Sequence, residues 1–209
     1  MTVALAILAA GASTRMAPRK KQLVEIAGEP LVHRAARLAL ASRASHIAVV
    51  LGAYADEIAP ALADLLRDAA AIARVDKPTI ARLDEPAVVR LDNPAWAEGM
   101  ASSVRVAATW AATTDATALL LCVCDQPAVT TAHLDALIAA HVADVADVAQ
   151  ASEPARTIGS SYAGAVGVPA IIPRTRWPEL LALRGDRGAR ALLGEHAIPL
   201  AEGERDLDD

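Results

Sequence analysis

Short apolar runs alternate along the chain with segments whose apolar residues recur every three or four positions. The runs at 3–9, 46–51, 88–91, 118–124, 148–151 and 168–172 have the length and aliphatic character of buried strands. Between them, residues 30–42, PLVHRAARLALAS, open on a proline where a first helical turn tolerates one and then keep a helical period. Segments 53–70, 100–112, 131–141, 177–183 and 187–196 read the same way. Prolines and mixed charges break any period at 72–87, which is expected to be an irregular surface excursion. Strand alternating with helix predicts an α/β domain whose mostly parallel sheet is wrapped by helices. No repeat, low-complexity tract or linker interrupts the pattern, so residues 1–209 are expected to form a single domain.

Composition narrows the functional classes. A chain of 209 residues with 54% hydrophobic and 22% charged residues can bury a substantial core. Its net charge of -5 argues against general affinity for nucleic acid, which needs a basic surface to displace counterions. No apolar run reaches the roughly 18 residues of a membrane span, and residues 3–10 lack a basic leader and cleavage pattern; a cytoplasmic protein is expected. Cys122 and Cys124 form a CxC with no partner pair and are expected to be buried core thiols. The five histidines show no ligand spacing.

Two stretches carry candidate chemistry. AILAAGASTRMAPRKK, residues 6–21, begins as a buried strand and becomes a loop of small residues followed by Arg15, Arg19, Lys20 and Lys21. Low bulk at Ala9, Ala10, Gly11, Ala12 and Ser13 lets backbone N–H groups approach an anion, and the cations suit a polyphosphate. The plain alternative is a solvated basic loop. The loop is neither a Walker motif, lacking the Gly-Lys-Ser/Thr ending, nor GxGxxG, having Gly11 alone. In LLLCVCDQPAVT, Asp125 directly follows a strand run and falls at the carboxyl edge of a parallel sheet, where such sheets bind ligands. It is either a magnesium ligand or a turn-capping carboxylate.

LAAGASTRM with Lys21, NPAWAEGMASSV, CDQP, YAGAVGVPAIIPR and LRGDRGARALL, in that order, resemble the molybdenum cofactor nucleotidyltransferase family, in its cytidylyltransferase branch. The resemblance runs nearly end to end. It implies a three-layer Rossmann-like fold and transfer of CMP from CTP to the terminal phosphate of molybdopterin, with Mg2+ as cofactor and release of pyrophosphate. It also implies transient contact with a receiving molybdoenzyme or its chaperone. Carried over by position, Ala9, Ala10 and Gly11 match the nucleotide loop, Arg15 and Lys21 its phosphate-binding cations, and Asp125 the metal-binding aspartate. Gly99, Ser102 and Ser103 match the segment facing the nucleobase, although the two serines would also suit a helix cap. The acceptor is expected against Tyr162 to Pro169 and the GDRGAR segment, with Asp186, Arg187 and Arg190; a helix start with Asp186 near its N-terminus reads equally well. The family's glycine after Arg-Met is Ala17 here, and its DxDT ending is DLDD, leaving Asp206 or Asp208 as a second metal carboxylate. The guanylyl branch has LAGG where this chain has LAAG, so Ala10 points to CTP over GTP. A nucleotidyltransferase for another phosphorylated acceptor, or a silent nucleotide sensor, would share the donor loop and Asp125.

Overall fold

The computed structural model describes residues 1–13, 19–66, 87–151, 154–162 and 164–200. Its elements run β1 (Val3–Ala9), β2 (Glu25–Ile26), β3 (Glu29–Pro30), α1 (Leu31–Leu40), β4 (His46–Leu51), α2 (Ala55–Ile58), β5 (Val88–Asp92), α3 (Met100–Ala112), β6 (Ala118–Val123), α4 (Thr131–Ala151), β7 (Ile158–Tyr162), β8 (Ala165–Pro173), α5 (Trp177–Leu181) and β9 (Ala197–Pro199). Seven strands make one sheet in the order β5-β4-β1-β6-β8-β7-β9, and β2 and β3 form a small hairpin beside it. The first four strands of the sheet are mutually parallel; β8 runs antiparallel to both β6 and β7, and β9 is parallel to β7. This is the α/β, mostly parallel, Rossmann-like architecture expected from the sequence.

The alternation along β1 sorts its side chains into two cores. Val3, Leu5, Ile7 and Ala9 face a layer containing Val32, Ala36 and Ala39 of α1 and Leu134, Leu137 and Ile138 of α4. Ala4, Ala6 and Leu8 face Ala101, Val104, Ala107 and Ala108 of α3 and Trp177 and Leu180 of α5. Small residues on that face of the strand meet an alanine-rich helix, so α3 lies close to the sheet. Each buried leucine of the central strands, such as Leu5 or Leu120, would cost about 2–5 kcal/mol if cut to alanine.

Several element assignments differ from the sequence expectation. The strand expected at 148–151 is the last turn of α4, which continues well past residue 141. ADVADV at 143–148 repeats every three residues, which suits a helix face; it buries Val148 and brings Asp144 Oδ2 to the Arg156 backbone N–H at 2.7 Å. The helix expected over 53–70 is interrupted because Pro60 has no N–H to donate: α2 gives way to a 3-10 turn at Ala59–Leu62, and residues 67–70 lie outside the described residues. Residues 187–196 hold only a 3-10 turn, Ala189–Leu192. Strands β7 and β9 were not legible, IGSSY being polar and β9 only three residues long. The excursion expected at 72–87 lies outside the described residues up to residue 86. Among the described residues no helix is long and apolar enough to cross a membrane.

The four parallel strands end at one edge. Ala9 sits opposite Leu51, Leu8 opposite Val123 and Leu51 opposite Asp92. The segments that follow, residues 10–13, Gly52, Asn93 and Asp125, are therefore neighbours. The chain leaves β1 toward β4 and leaves β6 toward the opposite half of the sheet, which makes the gap between β1 and β6 the crevice where such sheets take ligands.

Candidate active site

The loop after β1 is braced from beneath by Gln22. This buried side chain sits in the 3-10 turn Lys21–Leu23, and its Nε2 donates to the carbonyls of Ala9 at 3.1 Å and Gly11 at 2.7 Å. The Ser13 hydroxyl donates to Gln22 Oε1 at 3.1 Å and accepts from the Lys21 backbone N–H at 3.1 Å. Ser13 itself is in the left-handed region at φ 51°. With the carbonyls of Ala9 and Gly11 turned onto Gln22, the oxygen atoms that would repel an anion are occupied. Gly52, following β4, allows close approach: a Cβ there would lie 2.7 Å from the Ala10 carbonyl and 2.8 Å from the Ala10 methyl.

The three-layer fold separates the two adjacent lysines. Lys20 Nζ pairs with Glu57 and lies 4.9 Å from the centre of the Tyr54 ring, on α2 and the turn before it. Lys21 Nζ instead reaches Asp125 Oδ2 at 2.6 Å, with side chains only 8% and 22% exposed respectively. The other oxygen, Asp125 Oδ1, is buried and has no hydrogen-bond partner among the described residues. An unpartnered buried carboxylate oxygen is costly unless something occupies it, and a hard divalent cation is chemically suited to it. Among the described residues no three His, Cys, Asp or Glu side chains converge to hold a metal, so an ion at Asp125 would draw its other ligands from phosphate oxygens and water. Arg15, Asp206 and Asp208 lie outside the described residues.

On the other side of the loop is a cleft of about 430 Å³, whose lining includes Ala10, Gly11, Trp96, Met100, Ser103 and Asp186. Asn93 frames it. Its Nδ2 donates to the hydroxyls of Ser102 at 2.8 Å and Ser103 at 3.0 Å, and its Oδ1 accepts the Ala95 N–H at 3.1 Å. Neither serine caps α3; the cap position is Gly99, at φ 113°, and Ser102 turns its hydroxyl back to the Gly99 carbonyl at 2.8 Å. Ser103 reaches the cleft. A second hollow of about 440 Å³ lies among Arg156, Thr157, Arg176, Glu179 and His196, away from these strand ends. Its Arg176 is consumed by Glu179 at 2.8 and 2.7 Å, Thr157 at 3.2 Å and the Leu192 carbonyl at 3.0 Å.

The residues expected at the acceptor divide between two places. Tyr162 and Pro169 gather near Asp125: Gln126 Nε2 donates to the Val168 carbonyl at 3.0 Å and to the Tyr162 hydroxyl at 3.4 Å, and Ser160 Oγ donates to the Pro169 carbonyl at 2.7 Å. Asp186 belongs to the cleft beside Ala10, while Arg187 and Arg190 are exposed. The sequence reading missed Gln22, Asn93 and Trp96. A polar residue at a buried position next to Lys21, and an asparagine directly after a strand, were the available signals. Cys122 and Cys124 are buried and free, and burial pushes the Cys122 thiol up to about 12, which matches the expected core role.

Residues 5–200 match the family model described as "MobA-like NTP transferase domain". No curated protein matches the chain. Among solved structures, Rv0371c from Mycobacterium tuberculosis H37Rv is 25% identical, with 100% of this chain and 94% of that one covered at a TM-score of 0.67. The manganese complex of the same mycobacterial protein covers 95% and 89% at 24% identity and a TM-score of 0.60. A nucleotidyl transferase from Methanothermobacter is 19% identical over 91% of this chain and 80% of its own, at a TM-score of 0.65.

Proposed function

Since the chain belongs to the MobA-like NTP transferase domain family, we propose that it transfers CMP from CTP to the terminal phosphate of molybdopterin in a divalent-metal-dependent reaction that releases pyrophosphate. The observation that carries this reading is the Lys21–Asp125 pair at the crevice, with Asp125 Oδ1 buried and unpartnered beside the braced loop. The acceptor and the base follow from the resemblance of the ordered motifs to the cytidylyltransferase branch, with Ala10 where the guanylyl branch has the first glycine of LAGG.

The chemistry asks little of a general base. A phosphate monoester is mostly ionised at neutral pH, so its oxygen needs alignment and relief from charge repulsion. Backbone N–H groups of residues 10–13 hold the triphosphate, and Lys21 and Arg15 stabilise negative charge that moves onto the departing pyrophosphate. Asp125 would hold Mg2+, which would supply neutralisation of the phosphate charge. Gln22 keeps the loop carbonyls turned away from the anion. Tyr162 and the Val168–Pro169 segment, which Gln126 joins to the Asp125 side of the crevice, face the acceptor. A cytoplasmic location suits these substrates.

Pyrophosphate release from each of the four nucleoside triphosphates, with and without molybdopterin, tests the reading. Release from CTP that requires molybdopterin and Mg2+ or Mn2+ is expected. Release with another phosphorylated acceptor alone, or binding of CTP without any release, would overturn it.

A further inference from the structure

The cleft beside Ala10 has a mixed lining: apolar side chains from Leu8, Ala10, Trp96 and Met100, and polar surface that includes the side chains of Ser103 and Asp186. Trp96 and Met100 are among the few large apolar side chains left exposed. The Ser103 hydroxyl already accepts from Asn93. Asp186 is different, because among the described residues its carboxylate has no hydrogen bond or ion pair. Its place is nonetheless well defined. The Gly185 carbonyl accepts the Ala101 N–H at 3.0 Å and the Leu183 carbonyl accepts from Arg105 at 2.8 Å, which fastens this loop to the start of α3. Gly99 makes room for it, since a Cβ at residue 99 would collide with Asp186 Oδ1.

The loop after β1 thus has the Lys21–Asp125 pair on one side and the Asp186 carboxylate on the other. A triphosphate is repelled by Asp186 and drawn to the loop N–H groups and to the divalent cation proposed at Asp125, so the nucleoside end of a bound nucleotide falls in the cleft. The exposed Trp96 and Met100 side chains offer a flat base a surface to pack against. A carboxylate accepts hydrogen bonds and cannot donate them.

We propose that Asp186 selects nucleotides whose base carries an exocyclic amino group, by accepting that N–H at the end of the cleft. The inference rests on the nucleotidyl-transfer reading and adds to it a residue that discriminates the base. CTP presents an amine to the carboxylate. UTP presents a carbonyl oxygen at the same place, so two acceptors face one another and binding is penalised.

Calorimetric titration of the wild type and Asp186→Asn with CTP, UTP and 2′-deoxy-CTP tests this. The wild type is expected to prefer CTP to UTP. Asp186→Asn, whose amide can donate to a carbonyl, is expected to narrow that ratio about 10-fold or more. The response to 2′-deoxy-CTP should be the same in both proteins, and the unfolding temperature should be unchanged because Asp186 is exposed. A CTP:UTP ratio untouched by the substitution, or equal affinity of the wild type for CTP and UTP, overturns the role of Asp186 while leaving nucleotidyl transfer standing. A substitution effect that follows the ribose 2′-hydroxyl also overturns it. Failure of the wild type to bind any nucleoside triphosphate would instead sink the transfer reading, and this proposal with it.

Discussion

Lys21 and Asp125 answer each other's charge in the crevice, and replacing one should expose how much the site depends on that pairing. Lys21→Met keeps most of the side-chain volume and removes the ammonium from a 2.6 Å contact whose partners are 8% and 22% exposed. Removing one member of a fully buried pair costs about 3–5 kcal/mol; water reaching part of Asp125 lowers the expectation to about 2–3 kcal/mol. Asp125→Asn should also destabilise, by leaving a buried ammonium opposite an amide. The double variant removes both charges, so its cost should fall short of the sum of the singles by about 1–2 kcal/mol. Urea denaturation of the four proteins measures that coupling. Manganese gives a second readout: an ion at Asp125 Oδ1 competes for the carboxylate's charge with the Lys21 ammonium on Oδ2 and is repelled by it, so saturating metal should stabilise Lys21→Met more than the wild type. At a metal concentration 100 times Kd the gain would be about 2.7 kcal/mol. Costs that add to within about 0.5 kcal/mol would refute the coupling. Equal stabilisation of both proteins by manganese would refute the competition.

Three further outcomes are expected. Gln22→Leu deprives the Ala9 and Gly11 carbonyls of their shared donor; stability should fall by about 1–3 kcal/mol, and calorimetry should find CTP affinity reduced while manganese affinity at Asp125 is kept. Ala10→Gly removes the methyl group that packs between Gly52 and the cleft, and should narrow the kcat/KM preference for CTP over GTP, a preference expected to exceed the roughly 10-fold to 200-fold that a lone methylene provides. The carboxyl of Glu29 is held down to about 2 from 4.5, chiefly by hydrogen bonds from Arg37 at 2.8 Å and then by His33, against an opposing push from burial. A depressed folded pKa makes its contribution complete above the unfolded value and loses it as pH falls toward about 2. Stability of Glu29→Gln, followed by urea titration at successive pH values, should therefore decline less steeply than wild type below about pH 4.5.

The sequence by itself determined the central architecture because that architecture is written in local periods. β1 and β6 are buried on both faces, so they appear as unbroken apolar runs, and α3 shows its helical period from its first residue to its last. The loop of small residues and Asp125 were legible for the same reason, since each directly follows such a run. Where a strand's polar groups find distant partners, the local pattern fails. Ser160 in β7 is buried because it meets His133 and the Pro169 carbonyl, and nothing in IGSSY announces that.

Only the tertiary structure decided which charges work together. Lys20 and Lys21 are indistinguishable as neighbours in sequence, yet one is spent on Glu57 and the other reaches Asp125, because β4 and β6 flank β1 on opposite sides. Asp186 lies in the cleft beside Ala10, apart from Tyr162 and Pro169, for a comparable reason. Its loop is fastened to α3 by the Ala101 N–H on the Gly185 carbonyl, a backbone bond that leaves no mark on composition, and by the Arg105 side chain on the Leu183 carbonyl. Periodicity reports how one segment meets the core; the approach of two segments depends on the order in which strands are laid down, and that is a property of the whole sheet.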